Sequence, residues 1–466
     1  MGTPAGKPDN GEVLLYQSAA KIYPRQARGL FARLRLVSMA GLLGLYYLLP
    51  WLSWNGQPLV FFDLPHRRFH VFWLTLVPQD LLLLALLLLL AALTLFFFTS
   101  LAGRLWCGYA CPQTVWTEAF LWIEQLCEGD RYARIRLDRA PWSAEKLLRK
   151  GGKHLAWLLL ALFTGLSFVA YFYPARELFP AALRLQLGGW PLFWSLFYGF
   201  ATWGNAGFMR EQVCKYMCPY ARFQSAMFDR DTLIIAYDER RGEPRKSAAK
   251  KAGGKPADCV DCSLCVQVCP MGIDIRNGLQ YECIACAACV DACDGVMDSV
   301  GKPRGLIRYT SARHEAGGRY RLLRARTLGY GAVWLAACAG FAFLVLTHST
   351  LRFDVLRDRH ALYRELASGA IENVYTLKIT NDDAQPHRYA VTARFADGTP
   401  LTVEPAELER QAQQTAGTVV TLRTPPRQAG AAPLPMVEPV LLRIEQLDQP
   451  GTSRQRNARF LTGGRS

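Results

Sequence analysis

Charge is missing from five stretches of this chain. Leu36–Trp54, Leu81–Gly103, Leu155–Ala175, Leu185–Met209 and Thr327–Thr347 hold no Asp, Glu, Lys, Arg or His over 19, 23, 21, 25 and 21 residues. A helix needs about 20 apolar residues to span a bilayer, so these gaps exclude a soluble protein, a β-barrel and a disordered chain. The fourth is the weakest, because Gln186 and Gly188-Gly189 delay its apolar part to near Trp190. Cysteine is absent after Cys338, and no Ser–His–Asp set, Walker loop or G-x-G-x-x-G run occurs. Hydrolysis and nucleotide binding are therefore not indicated. No A-x-A-like site follows Leu36–Trp54, and 35 residues precede it, so it reads as a span rather than a cleaved signal.

The averages conceal this segregation: 51% hydrophobic, 20% charged and a mean hydropathy of +0.06 suggest an ordinary soluble chain. The net charge of +16 is equally uneven, since residues 349–466 hold 15 basic and 13 acidic side chains. Lys and Arg number six in residues 1–35, two in 55–80, nine in 104–154, two in 176–184 and 20 in 210–326. That alternation places the N-terminus and both long loops in the cytoplasm, and residues 350–466 outside, in a bacterial periplasm. The basic balance thus reads as topology rather than nucleic-acid binding.

Beyond the last span the period changes. Ile371, Tyr375, Leu377 and Ile379 share one parity, as do Tyr389, Val391, Ala393 and Phe395, and Val440, Leu442 and Ile444. Runs of period two broken by Asn381-Asp382-Asp383, Asp397-Gly398 and Pro425-Pro426 predict an antiparallel sandwich without a disulfide. Residues 238–257 carry seven Lys/Arg and no large apolar residue, which predicts a solvated linker.

Two cysteine runs carry the strongest chemical signal. Cys259-x2-Cys262-x2-Cys265-x3-Cys269-Pro270 is the bacterial ferredoxin run, and Cys283, Cys286, Cys289 and Cys293 repeat its spacing. Three cysteines two apart can wrap a cubane from one loop, and the fourth serves the other cluster. One [4Fe–4S] cluster is thus expected on Cys259, Cys262, Cys265 and Cys293, the second on Cys269, Cys283, Cys286 and Cys289. A structural zinc site would have longer gaps between its cysteine pairs. Asp294 stands where the first run has Pro270, which leaves the second turn open.

A second pattern follows the second and fourth uncharged stretches: Cys107-Gly-Tyr-Ala-Cys111-Pro112 and Cys214-Lys-Tyr-Met-Cys218-Pro219. It reads as an internal repeat of span, cysteine pair and interfacial helix. Each i,i+4 pair is expected on one helix face, with Cys111 and Cys218 near helix N-termini that favour thiolate. Soft sulfurs suit Cu(I), zinc or iron–sulfur species, so Cys107, Cys111, Cys214 and Cys218 are candidates for a copper or dithiol relay.

Two C-x-Y-x-C-P repeats, a double C-x2-C-x2-C-x3-C segment, a fifth span and a cysteine-free β tail together resemble the CcoG proteins, also called FixG or RdxA. These are accessory proteins of cbb-type cytochrome oxidases. In the tail, Val355-Leu-Arg-Asp-Arg359 and Ile371–Ile379 look like the start of that family's immunoglobulin-like domain. The resemblance implies an inner-membrane iron–sulfur protein that reduces Cu(II) to Cu(I) for oxidase assembly. Its partners would be assembly factors, copper chaperones or transporters, and a cytoplasmic electron donor. A quinol-oxidising subunit of the NapH type and a non-enzymatic scaffold are the alternatives, although NapH proteins generally lack the fifth span and the tail.

The expected fold class is a multidomain, α-helical integral membrane protein with five transmembrane helices, an inserted ferredoxin-like domain and a C-terminal immunoglobulin-like β-sandwich. The expected segments are an N-terminal part at 1–35, a four-helix membrane domain at 36–228, and a basic linker at 229–257. The iron–sulfur domain follows at 258–326, the fifth helix at 327–348 and the β domain at 349–466.

Overall fold

The computed structural model describes residues 21–462 apart from 55–56, 73, 254, 256, 322, 348–350, 359–361, 382, 384, 413, 427–434 and 449–450. The chain forms two compact units, one drawn mainly from residues up to Cys338 and the other mainly from Ala339 onward.

Among the described residues, four helices are long and apolar enough to cross a membrane. They are Leu30–Leu48 (extended by a 3-10 turn to Trp51), Leu81–Ala102, Ala144–Val169 and Ala325–Leu346. Leu81–Ala102 is apolar on every side, and Leu81, Leu82 and Leu88 are exposed, the pattern of a helix facing lipid. Ala144–Val169 begins well before its uncharged stretch because Ser143 caps it, accepting from the Lys146 N–H at 3.2 Å. The lysines in its first turns find buried partners: Lys150 and Lys153 stand 3.1 and 2.8 Å from Glu128.

The expected fourth span differs from the others. Its α-helix covers only Gly189–Thr202, 14 residues, and continues as a π-helix over Trp203–Met209. Gly189, at φ +58°, sets the late start, and the wider turn holds to Arg210, whose N–H bonds to the Asn205 carbonyl at 2.7 Å. This helix packs closely on Ala144–Val169. A Cβ added at Gly165 would stand 2.2 Å from the Ser195 carbonyl oxygen, so only glycine permits the approach.

Below these helices, Pro112–Glu128 holds two buried carboxylates. Glu124 pairs with Arg134 at 3.2 Å and with Arg210 at 3.0 Å. Burial alone would raise its pKa, but the Arg210 and Arg134 guanidiniums hold it below the ordinary value. Trp157 fills the adjacent core and donates from Nε1 to the Phe120 carbonyl at 2.9 Å.

The stretch expected to be a linker is partly built into the fold. Ile234–Tyr237 is a strand paired antiparallel with Ile307–Thr310, and Ile234, Ile235 and Tyr237 are buried. Short helices follow at Glu239–Gly242 and Lys246–Ala252. The apolar quartet has a pairing partner more than 60 residues away, which its charged neighbours conceal.

The second unit is dominated by a nine-stranded antiparallel sheet. Its path runs Ser453–Leu461, Val437–Gln446, His387–Phe395, Pro400–Glu404, Thr415–Arg423, Ile371–Asn381 and Leu351–Arg357. Pro400–Glu404 joins the two halves, pairing Leu401 with Ala393 and Val403 with Leu422. The expected parities are the buried ones: Tyr375, Leu377 and Ile379 face one core with Val391, Phe395, Leu442 and Ile444. The end strands of the path meet, Arg456 Nε donating to the Phe353 carbonyl at 3.0 Å, so the sheet folds back on itself.

Candidate iron–sulfur and thiol site

The two cysteine runs have the same local backbone. Asp261 and Ser263 flank Cys262 at φ 56° and 55°, and Ala285 and Ala287 flank Cys286 at φ 54° and 57°. A left-handed residue on each side of the middle cysteine curls the loop so that three sulfurs can turn to one point. Each such non-glycine residue costs about 1–3 kcal/mol. Both runs then enter a helix, Leu264–Gln267 and Ala288–Ser299, with Ser263 and Ala287 as N-caps. Pro270 and Met271 form a turn after Cys269. After Cys293, with Asp294 in place of proline, the helix runs on to Ser299, and Asp294 accepts from the Gly305 N–H at 2.9 Å.

Electrostatic interaction among the eight sulfurs crosses between the runs. Cys293 feels the charges of Cys265, Cys259 and Cys262. Cys283 and Cys286 feel Cys269, and Cys289 feels Cys286, Cys283, Cys269 and Cys265. Burial pushes the Cys265 and Cys283 thiols up to about 11 and those of Cys286 and Cys293 to about 12. At neutral pH such thiols keep their protons unless a metal displaces them. Main-chain donors already face the sulfurs: Ile273, Met271 and Gly272 at Cys269, Ala285 at Cys283, and Ala288 at Cys286.

Cys265, Cys269, Cys283, Cys286 and Cys289 line one small pocket, walled by Ile235 and Met271. Among the described residues no three His, Cys, Asp or Glu side chains converge on a single metal ion. Sulfurs set around a volume, with amide donors and apolar walls, fit a cluster better than a mononuclear zinc site.

The C-x-Y-x-C-P motifs correct one expectation. Their cysteine pairs do not share a helix face. Cys107 lies in a short helix, Leu105–Tyr109, but Cys111 is extended at ψ 128° and opens Pro112–Glu128. Cys214 lies in a π-helical turn, Val213–Met217, and Cys218 is extended at ψ 108° before Pro219–Ala226. The following proline disfavours helical backbone at each second cysteine. Both cysteines bond five residues back, Cys111 N–H to Trp106 at 2.9 Å and Cys218 N–H to Val213 at 2.8 Å. Cys107, Cys111, Cys214 and Cys218 do come near one another: Cys107 feels the charges of the other three. Burial drives the Cys107 thiol to about 12 and that of Cys214 to about 11.

Residues that spacing did not reveal tie the two sites together. Gly108, inside the first motif, lies against the loop of the second run. A Cβ there would stand 2.7 Å from the Ile284 carbonyl oxygen and 2.9 Å from Cys286 Cα. Cys107, Ile284, Cys286 and Ala288 share one packed core, bordered by Cys214, Cys269, Cys283 and Cys289. Tyr309 donates to the Ala285 carbonyl at 2.5 Å, and its hydroxyl is 3.3 Å from that of Tyr109. Arg104 donates to the carbonyls of Tyr281 and Ala221, and Arg35 to that of Cys286. Buried Gln224 accepts from Cys107 Sγ at 3.1 Å and donates to Tyr220 at 2.6 Å. Gln113 does the reciprocal service, donating to the Asn205 and Arg210 carbonyls ahead of Cys214 at 3.0 and 3.1 Å. A glutamine in the helix after each motif was the available signal. Asp291 caps the first membrane helix, accepting from the Phe31 and Ala32 N–H groups at 3.1 and 2.6 Å.

Comparisons with known proteins agree with this construction. A model of the 4Fe-4S dicluster domain matches residues 209–312, and one of a 4Fe-4S binding domain matches residues 84–126. The model described as the IG-like fold at the C-terminal of FixG, putative oxidoreductase, matches residues 341–463. Fold and site define a membrane protein that binds 4Fe–4S clusters and carries an immunoglobulin-like tail. The nitrogen fixation protein FixG of Rhizobium meliloti is 39% identical over 409 residues, 79% of this chain and 78% of that one. Proteins RdxB and RdxA of Cereibacter sphaeroides are 39% and 40% identical, over 85% and 84% of this chain and 87% and 86% of theirs. The chain belongs to the FixG/CcoG/RdxA family. A crystal structure of a FixG-related protein from Vibrio parahaemolyticus aligns with 24% of this chain and 97% of that chain at 17% identity. Its TM-score of 0.20 adds nothing to the fold assignment. The match at 84–126 was not anticipated: Cys107 and Cys111 are the cysteines within it, so the iron–sulfur signature reaches into the membrane-face motif.

Proposed function

We propose that this chain is an inner-membrane cupric reductase that supplies Cu(I) during assembly of a cbb-type cytochrome c oxidase. One cluster sits on Cys259, Cys262, Cys265 and Cys293, the other on Cys269, Cys283, Cys286 and Cys289. Copper is reduced at Cys107, Cys111, Cys214 and Cys218. Gly189–Met209 serves as the remaining span of a five-pass topology, with the N-terminus and cysteine runs in the cytoplasm and residues 349–466 in the periplasm. The Lys/Arg alternation supports that orientation. Assembly factors and copper carriers are the proposed partners.

The observation that supports the reading is the packing of Gly108 and Cys107 onto the Ile284–Cys286 loop, with Cys214 bordering the same core. Bound clusters supply one-electron storage with little nuclear rearrangement. This chain's residues do the rest. Buried thiols favour the softer Cu(I) over Cu(II). Gln224 holds the Cys107 proton until a metal displaces it. Replacing Cys107, Cys111, Cys214 and Cys218 with serine should abolish Cu(I) formation, read with a Cu(I)-specific chelator, while the visible absorbance of the clusters persists. Undiminished reduction by that variant would remove the copper assignment.

A second reading is favoured by the 84–126 match: the same four cysteines hold a further iron–sulfur cluster. Iron in excess of two clusters per chain, lost in the serine variant, would select it. Quinol oxidation remains the alternative electron source, and bleaching of the clusters by a reduced quinone analogue would favour it. A scaffold role predicts that a clusterless variant still matures the oxidase.

A further inference from the structure

A cleft of about 560 Å³ opens beside the first cysteine run. Leu264, Val268 and Ala292 form part of its floor, and each is the chain neighbour of a cluster cysteine: Cys265, Cys269 and Cys293. Its walls carry Arg25, Arg28, Arg131 and Arg134 against Asp130 and Asp291. Not all of that charge is available. Arg134 is paired with Glu124 at 3.2 Å, Arg131 donates to the Tyr23 carbonyl, and Asp291 is consumed by the Phe31 and Ala32 N–H groups. Arg25 and Arg28 have exposed side chains and no ion pair among the described residues. The backbone that presents them is fixed, since the Arg25 N–H bonds to the Gln267 carbonyl at 2.8 Å and Ala27 is buried.

We propose that this cleft is the docking site of the chain's electron donor, an acidic one-electron carrier protein of the ferredoxin type. The proposal rests on the electron-transfer reading above. Charge complementarity selects an acidic partner. Both arginines without an ion pair among the described residues are exposed, which suits a protein surface rather than a small phosphate. Iron–sulfur acceptors take electrons singly, which selects a one-electron carrier. The step balances simply: the carrier is oxidised by one electron, this chain is reduced by one, and no bond or proton moves.

The test uses the full, cluster-loaded chain in nanodiscs of neutral lipid, with a reduced acidic ferredoxin as donor and its redox-inert gallium-substituted form for binding. The Arg25→Glu/Arg28→Glu double variant should bind the gallium form about tenfold or more weakly at low ionic strength, with cluster reduction slowed in parallel. The difference should close as salt is raised. Arg136→Glu/Arg139→Glu, an equal charge change outside the cleft on the Arg131–Arg139 helix, should leave both readouts unchanged. Equal binding by the cleft variant and wild type, or equal losses in both variants, would overturn the proposal. So would an effect that appears only in anionic-lipid nanodiscs, because it would assign the arginines to headgroups. Cu(I) formation by the wild-type chain reduced with methyl viologen radical cation is scored separately. Its absence would overturn the copper reading without touching this one.

Discussion

The β tail and the cysteine-run region reach their folds by opposite means. In the tail most core side chains are apolar and come from alternation, with buried Asn373 and Asn381 among the exceptions, and the strands pair in continuous antiparallel registers. Among the described residues, no non-glycine residue after Ala287 has positive φ. In the cysteine region four non-glycine residues hold left-handed backbone within 261–287, and thiols occupy the core. One region is stabilised by its own burial, at about 25 cal/mol per Å² of apolar surface. The other stores strain around groups whose natural partner is iron, so its stability is conditional on the metal.

Removing iron should break the comparison most visibly. Anaerobic chelation of the full chain is expected to abolish hydrogen-exchange protection across residues 257–312 while residues 351–461 exchange as before. Equal protection in the first segment with and without iron would show that the loops hold their shape unaided. Next in size is Tyr375→Ala in the tail. Tyr375 is fully buried and donates to the Arg459 carbonyl at 2.9 Å. Its truncation should destabilise the tail by about 3–5 kcal/mol, seen as an earlier denaturant midpoint for tail amides with unchanged cluster absorbance. A cluster signal lost together with the tail would mean that the two regions do not fold independently.

The same contrast decides what the sequence made readable. Alternation is a property of each strand alone, so Ile371–Ile379 and Tyr389–Phe395 announced their buried faces without knowledge of their partners. The uncharged stretches announced helices for the same reason, the late start near Gly189 included, but not the π-turn after Thr202. Pro112 and Pro219 did signal the helix breaks at Cys111 and Cys218, but the i,i+4 spacing suggested one continuous face. Gly108, Arg35 and Arg104 were out of reach, since each acts on a segment more than 100 residues away in the chain. The strand at Ile234–Tyr237 was hidden by its charged neighbours and by a partner well along the chain, at Ile307–Thr310.

Gly108→Ala probes the seam between the motif and the cysteine loop. The added methyl would stand 2.7 Å from a backbone oxygen that cannot rotate away, so a cost of about 1–3 kcal/mol is expected. The EPR spectrum of the reduced clusters should shift, because Cys286 is directly behind that loop. An unchanged spectrum and melting temperature would show that the seam is loose.

The smallest effect gives the sharpest contrast, because the same substitution should act with opposite sign in the two regions. Ser263 is left-handed at φ 55°, and its side chain makes no capping hydrogen bond. Glycine removes the Cβ strain of that conformation, about 1–2 kcal/mol, against roughly 0.5–1 kcal/mol of added unfolded-state freedom. Ser263→Gly should therefore be neutral or stabilising by about 1 kcal/mol. Thr376 lies in the Ile371–Asn381 strand between the registers of Leu356 and Val419. There glycine loses a β-branched side chain and gains backbone freedom, so Thr376→Gly should cost about 1 kcal/mol. Paired melting curves on the cluster-loaded chain would read both. If Ser263→Gly destabilised as much as Thr376→Gly, the left-handed loop would carry no strain, and the cysteine region would owe its shape to ordinary packing after all.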